Sequence, residues 1–149
     1  METQIQFRDI QFHDYEQAKS LLSLLTQQKE NFSVESFVKL CCSLNSKHRI
    51  ICCFYNDIEA EIKVLVAMGT IFIEEKLIHN CSCVGHIEDI VVHDKYRNMN
   101  FGKMLIKYLV EIAREKQAYK VILDSSEEKK KFYQKCGFEQ SSIQMRKNI

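Results

Sequence analysis

One stretch of the chain collects most of the groups that could do chemistry: Ile87-Glu88-Asp89-Ile90-Val91-Val92-His93-Asp94-Lys95-Tyr96-Arg97-Asn98-Met99-Asn100-Phe101-Gly102-Lys103. An apolar run leads into a polar loop, and the loop into the strongest helical pattern of the sequence. A helix start presents unpaired backbone N–H groups and the positive end of the helix dipole. That combination suits a pyrophosphate, and Arg97 and Lys103 add positive charge beside it. An ordinary strand-loop-helix connection with surface cations uses the same residue types, so the loop alone leaves both readings open. Glu88 and Asp89 stand mid-strand among apolar residues, where alternation sends them to opposite faces of a sheet. Two adjacent acids there are costly unless each finds a partner. A solvated edge strand is the alternative.

The elements that must position these groups follow from periodicity. Residues 5–10 predict a first short strand. Asp14, with Gln17 three residues on, opens a helix whose apolar face is Ala18, Leu21, Leu22 and Leu25. Ser33 caps a second helix, with Phe37, Leu40, Cys41 and Leu44 on one face. Strands are expected over 50–55, 62–73 and 83–92, with a polar connection at 74–82. The clearest helix runs from about 101 to 116, burying Phe101, Met104, Leu105, Tyr108, Leu109 and Ile112. A strand over 119–124 follows. Ser125 with Glu128 then makes a capping box for a last helix, stopped by Gly137. Residues 143–146 predict a final strand. The order β-α-α-β-β-β-α-β-α-β describes an α/β fold, a mixed central sheet flanked by helices.

Composition excludes several classes. The 149 residues are expected to form one domain, 1–149, since no proline, repeat or composition shift marks a linker. Basic and acidic residues nearly balance, 21 against 20, so no general attraction to nucleic acid is expected. The apolar runs fall far short of the ~20 residues that span a bilayer, so no membrane insertion is expected. Met1-Glu2-Thr3-Gln4 lacks the basic and apolar regions of a signal peptide. Seven cysteines, an odd number, read most simply as reduced thiols in a cytoplasmic protein. His79, Cys81, Cys83 and His86 lack the paired spacing of a zinc site, and no metal is expected.

The loop Arg97-Asn98-Met99-Asn100-Phe101-Gly102 resembles the pyrophosphate loop [R/Q]-x-x-G-x-[G/A] of the GNAT superfamily. Asn100 replaces the first glycine, and asparagine tolerates left-handed backbone geometry. The resemblance extends further. Lys76-Leu-Ile-His79, Gly85-His-Ile-Glu-Asp-Ile90, Tyr119-Lys-Val-Ile-Leu-Asp124 and Lys131-Phe-Tyr-Gln-Lys-Cys-Gly-Phe138 stand in the order and spacing of glucosamine-6-phosphate N-acetyltransferases. The N-terminal half matches more loosely, through Leu25-Thr26 and Glu35-Ser-Phe37. Two positions depart from that family: Lys129 stands where it has asparagine, and Asn148 where it has arginine, with Arg146 or Lys147 as substitutes.

The resemblance implies the GNAT fold and a reaction in which acetyl-CoA acetylates the amine of glucosamine 6-phosphate, on the route to UDP-N-acetylglucosamine. It implies a splayed strand pair, near 88–92 and 121–124, holding the acetyl group. It also implies a homodimer whose sugar sites draw on both subunits. By matched position, Tyr133 assists the departing thiolate, and Glu88, Asp89 and Asp124 sit at the acceptor. Thr26, Lys76, His79, Ile90, Tyr119 and Lys120 are implied sugar-phosphate contacts. For the cofactor, Ile90, Val91 and Val92 pair with the pantetheine arm as an added strand does. Arg97, Asn98, Met99, Asn100, Phe101, Gly102 and Lys103 take the pyrophosphate, with Asp124, Lys129, Tyr133 and Lys135 completing the site. Of the pair Phe132-Tyr133, Phe132 is expected to do the packing. A 2-amino sugar is less basic than a lysine amine, whose pKa is about 10.4. Positioning and direct attack can therefore replace a strong protein base. A GNAT enzyme for another small amine or a protein N-terminus, or a non-catalytic acyl-CoA-binding module, would share most of these features.

Overall fold

In the computed structural model, residues 4–26, 31–58 and 61–149 are described. Residues 1–3, part of the segment read above as lacking a leader, lie outside them. Five strands, β1 (Ile5–Asp9), β2 (His48–Asp57), β3 (Ile62–Glu75), β4 (Cys83–Val92) and β5 (Ala118–Ile122), form one sheet in sequential order. The first three pairings are antiparallel and β4–β5 is parallel. Among the described residues four helices of nine residues or more flank the sheet: α1 (Tyr15–Thr26), α2 (Val34–Ser43), α3 (Phe101–Glu115) and α4 (Glu127–Lys135). Among the described residues, no helix is long and apolar enough to cross a membrane.

Strand alternation sorts the core into two layers. Ile51, Cys53, Ile71 and Ile87 face α3, whose Leu105, Ile106, Leu109 and Ala113 are all but inaccessible. Cys52, Phe54, Met68 and Val91 face the other way, against Ala18 and Leu21 of α1 and Phe37 of α2. Gly85 lets α3 approach β4, since a Cβ there would stand 2.9 Å from the Cβ of Ala113. Because α3 is the crossover of a parallel strand pair, its start lies at the C-terminal end of β4.

Four expectations are corrected. Asp14 does not cap α1; it is 1 % exposed, accepts two bonds from the Arg8 guanidinium and a third from the Gln11 N–H. Gln17 instead accepts from the N–H of Leu65 at 2.8 Å, beside the β2–β3 bulge where the strand ladder leaves a donor unpaired. The N-cap of α4 is Ser126, not Ser125, whose hydroxyl turns to the Ser126 carbonyl. Residues 143–146 form no strand: the segment after Phe138 carries no regular structure, and Ile143 and Met145 are exposed. The other caps match expectation. Ser33 accepts from Ser36 N–H, and Gly137 follows α4 at φ 89°, the left-handed position that ends a helix most cheaply on glycine.

Candidate active site

The site is built by a parallel pair that parts. β4 and β5 are hydrogen-bonded from Cys83↔Ala118 to His86↔Ile122 and no further. Beyond that point a cavity of about 330 Å³ opens, bounded by Glu88, Asp89 and Ile90 of β4, by Asp124, Ser125 and Ser126 after β5, and by Lys129 and Tyr133 of α4. Leu25 and Thr26, at the end of α1, close another side.

A bulge in β4 sets the acids. The β3–β4 register runs Thr70↔Glu88 and then Met68↔Val91, so Asp89 and Ile90 together oppose Gly69. Asp89 takes φ 53°, a left-handed residue inside a strand. The extra residue breaks strict alternation, and Glu88 and Asp89 border the same cavity instead of opposite faces. This corrects the alternation argument. Gly69 makes the bulge possible: a Cβ there would fall 2.3 Å from Cδ1 of Ile90, which turns towards α3. The Glu88 carboxyl is pushed above the ordinary glutamate range, first by burial, then by the nearby charges of Asp124 and Asp89. A raised carboxyl is a better proton acceptor near neutrality.

Tyr133 is 9 % exposed, with its ring in the core beside Phe138 and Phe132. Phe132 is the more exposed of the pair, at 36 %, the reverse of expectation; it lies over Gly102, where a Cβ would be 3.2 Å from its ring. The Tyr133 hydroxyl has no hydrogen-bond partner among the described residues and its side chain borders the cavity. Burial, reinforced by Cys136 and Glu88, raises its pKa, which keeps it a proton carrier at neutral and mildly basic pH.

The loop before α3 starts the helix from left-handed backbone and without a side-chain cap. Asn100 sits at φ 65°, ψ 5°, and Asn98 at φ 64°, so asparagine supplies the left-handed geometry where the motif has glycine. No side chain caps α3; the intrahelical ladder begins with Met104 N–H on the Asn100 carbonyl, which leaves the amides of Phe101, Gly102 and Lys103 aimed outward. Buried Phe101 and Tyr96 pin the loop, and the Tyr96 hydroxyl reaches Asp57 at 3.1 Å. Sequence reasoning missed Tyr96, Ser125 and Ser126; only their places, inside the loop and just after β5, signalled them. Met99, Lys103 and Lys135 are exposed around the loop, and Arg97 is exposed in a pair with Asp94. Ile90 and Val92 are half-buried and Val91 is buried, as strand residues with core side chains should be.

Lys76, His79, Tyr119 and Lys120 are not brought to this cavity. They gather at the opposite ends of β4 and β5, some four or five residues away, roughly 13–17 Å at strand rise. The His79 ring packs on Tyr119 at a tilt of 44° with centroids 4.3 Å apart, and the Lys120 ammonium lies 5.5 Å from the centre of the same ring. Lys76 pairs with Glu74, which also bonds His86 at 2.7 Å. The connection is less polar than expected: Leu77 and Ile78 are exposed, and His79, Asn80 and Cys81 are all left-handed. Among the described residues, no group of three or more His, Cys, Asp or Glu could hold a metal ion.

A parting parallel pair with an uncapped helix start beside it defines the class, and comparison agrees: the chain belongs to the acetyltransferase (GNAT) family, whose profile matches residues 9–138. Its similarity runs to particular members. Glucosamine 6-phosphate N-acetyltransferase 1 of Dictyostelium discoideum is 37% identical over 144 residues, 95% of this chain and 88% of that protein. Probable glucosamine 6-phosphate N-acetyltransferase 2 of Oryza sativa subsp. japonica is 33% identical over 146 residues, 95% of this chain and 86% of that one. The crystal structure of glucosamine-6-phosphate N-acetyltransferase from Arabidopsis thaliana superposes with a TM-score of 0.80 at 31% identity, covering 98% of this chain and 99% of that one.

Proposed function

We propose that the chain transfers the acetyl group of acetyl-CoA to the amine of D-glucosamine 6-phosphate, giving N-acetyl-D-glucosamine 6-phosphate and CoA for UDP-N-acetylglucosamine synthesis. The observation that carries the reading is the cavity where β4 and β5 part, with Glu88 and Asp89 on one wall and Tyr133 on another. The near-full-length similarity to two glucosamine 6-phosphate N-acetyltransferases supplies the acceptor.

The first-turn amides of α3 grip the pyrophosphate, aided by Arg97, Lys103 and Lys135. The unpaired stretch of β4 at Ile90–Val92 then pairs with the pantetheine arm, which sets the thioester at the parting of the strands. Glu88, Asp89 and Asp124 orient the sugar and its amine, and Thr26 borders the same space. The amine attacks the carbonyl carbon, the C–S bond breaks, and Tyr133 gives the sulfur a proton. Lys129, in the cavity wall, faces the cofactor.

One chain does not unite this cavity with the Lys76, His79, Tyr119 and Lys120 cluster. In our reading the protein is a cytoplasmic homodimer of single-domain subunits without a resident metal, and the cluster of one copy serves the sugar phosphate in the other. Supporting this are the uncovered edge of β5 and the exposed apolar side chains of Leu77, Ile78, Ile143 and Met145. Arg146 and Lys147 lie in the same C-terminal segment as Asn148 and substitute for its missing charge.

The test is thiol release from acetyl-CoA by purified protein with a panel of amines. Saturable release with glucosamine 6-phosphate is expected. Turnover of a peptide or polyamine, with none of this sugar, would reject the acceptor and keep the family. Acetyl-CoA binding without turnover of any amine would reject catalysis.

A further inference from the structure

We propose that this acetyltransferase has a second acceptor class: primary amines with an apolar body, seated in a cavity between α1, α2 and the sheet, with the nitrogen at Asp89. The inference rests on the acetyl-CoA site above and is independent of the sugar acceptor.

The cavity measures about 400 Å³, and the wall that the described residues give it is mainly apolar, with Leu22 from α1, Phe37 and Leu40 from α2, and Met68 from β3. That size lies within the roughly 300–1,000 Å³ of ordinary ligand sites. It is continuous in its lining with the cavity where the strands part, for Leu25, Thr26 and Asp89 border both. Asp89 is its only ionisable wall residue among the described residues, and the β4 bulge brings it there.

An apolar chamber with one carboxylate, placed at the junction with the transfer site, matches a molecule with an apolar body and a cationic end. A sugar phosphate would leave its hydroxyls unpaired against Leu22 and Met68. A longer acyl chain entering from the thioester would lie along the Asp89 charge with nothing to offer it. The amine alone satisfies both ends.

The step balances. The ammonium yields one proton to Glu88, and the neutral nitrogen attacks the thioester carbonyl. The C–N bond forms as C–S breaks, Tyr133 protonates the sulfur, and the second amine proton restores Tyr133. The products are the N-acetylated amine, CoA thiol and one proton delivered to water through Glu88.

The experiment measures thiol release by the full chain with acetyl-CoA and linear amines from ethylamine to hexylamine, then 2-phenylethylamine. We expect kcat/KM to rise about fourfold for each methylene added, the factor for burying one in an apolar site. Ser36→Trp and Leu40→Trp, at exposed positions in the cavity wall, should each lower kcat/KM for 2-phenylethylamine at least tenfold. Glucosamine 6-phosphate turnover should stay within about twofold. If both variants melt early, the chain-length series on the unaltered protein decides. No release with any apolar amine, a flat series, or tryptophan variants that depress both acceptors alike would overturn the proposal. Turnover of the apolar amines without the sugar would uphold it and reject the sugar reading instead.

Discussion

Replacing Tyr133 with phenylalanine isolates the hydroxyl, because the ring does the packing and the oxygen does not. The side chain is 9 % exposed in the α3-side core, and its hydroxyl has no protein partner among the described residues. Phe fills the same volume and leaves no donor or acceptor stranded, so stability should change by no more than about 0.5 kcal/mol. In the proposed mechanism the transition state then loses its proton source for the sulfur, a loss of about 10²–10³ in kcat, the lower part of the range for a positioned acid. That is roughly 2.7–4 kcal/mol at 1.36 kcal/mol per decade. The Michaelis constants for acetyl-CoA and the acceptor should stay within about threefold, since the lost interaction develops only as the thiolate leaves. The pH profile gives a second check. Burial first, then Cys136 and Glu88, raise the Tyr133 pKa above 10 in the folded protein. Its protonated form therefore survives through mildly basic pH, and any stability linked to that shift is complete below the ordinary tyrosine value of 10 and is lost as pH rises from there through the raised folded value. Steady-state thiol release from about pH 6 to 10, beside a thermal melt of the variant, makes the measurement. Unchanged kcat, or a KM that rises in step with a falling kcat, would refute the role.

Three further outcomes are expected. Asp14→Ala should destabilise by about 2–3 kcal/mol in denaturant titration, because Arg8, which keeps the Asp9 carbonyl and some solvent, loses two charge-assisted bonds and the Gln11 N–H loses its acceptor. Burial opposes the Asp14 charge, yet Arg8 and the Gln11 N–H hold its pKa below 3.8. Its contribution is thus complete above that pH and is lost as pH falls through the lowered folded value. Asn100→Gly should keep acetyl-CoA affinity, whereas Asn100→Val should cost about 1–2 kcal/mol of stability at φ 65° and weaken coenzyme binding in calorimetry. Lys120→Ala with His79→Ala should raise KM for glucosamine 6-phosphate at least tenfold and leave that for acetyl-CoA within about twofold; equal changes in both would remove the cluster from the phosphate site.

Local chemistry made much of the architecture legible. The α3 stripe from Phe101 to Ile112, the Ser33 cap, the Gly137 stop and the β4 bounds at Cys83 and Val92 all depend on contacts within a few residues, which periodicity and capping report directly. The left-handed tolerance of Asn100 is of the same kind. Only tertiary structure decided the rest. Gln17 abandoned a cap for Leu65 because a bulge elsewhere left that amide without a partner. Glu88 and Asp89 came to one cavity because Gly69, some 20 residues earlier, admits Ile90 and lets β4 take an extra residue. Residues 143–146 have the pattern of a strand but no paired edge in one chain, and a strand exists only through its neighbour. Residue types and spacing identified the groups, while the parting of β4 and β5 chose which of them share a cavity and which lie at the far end of the sheet.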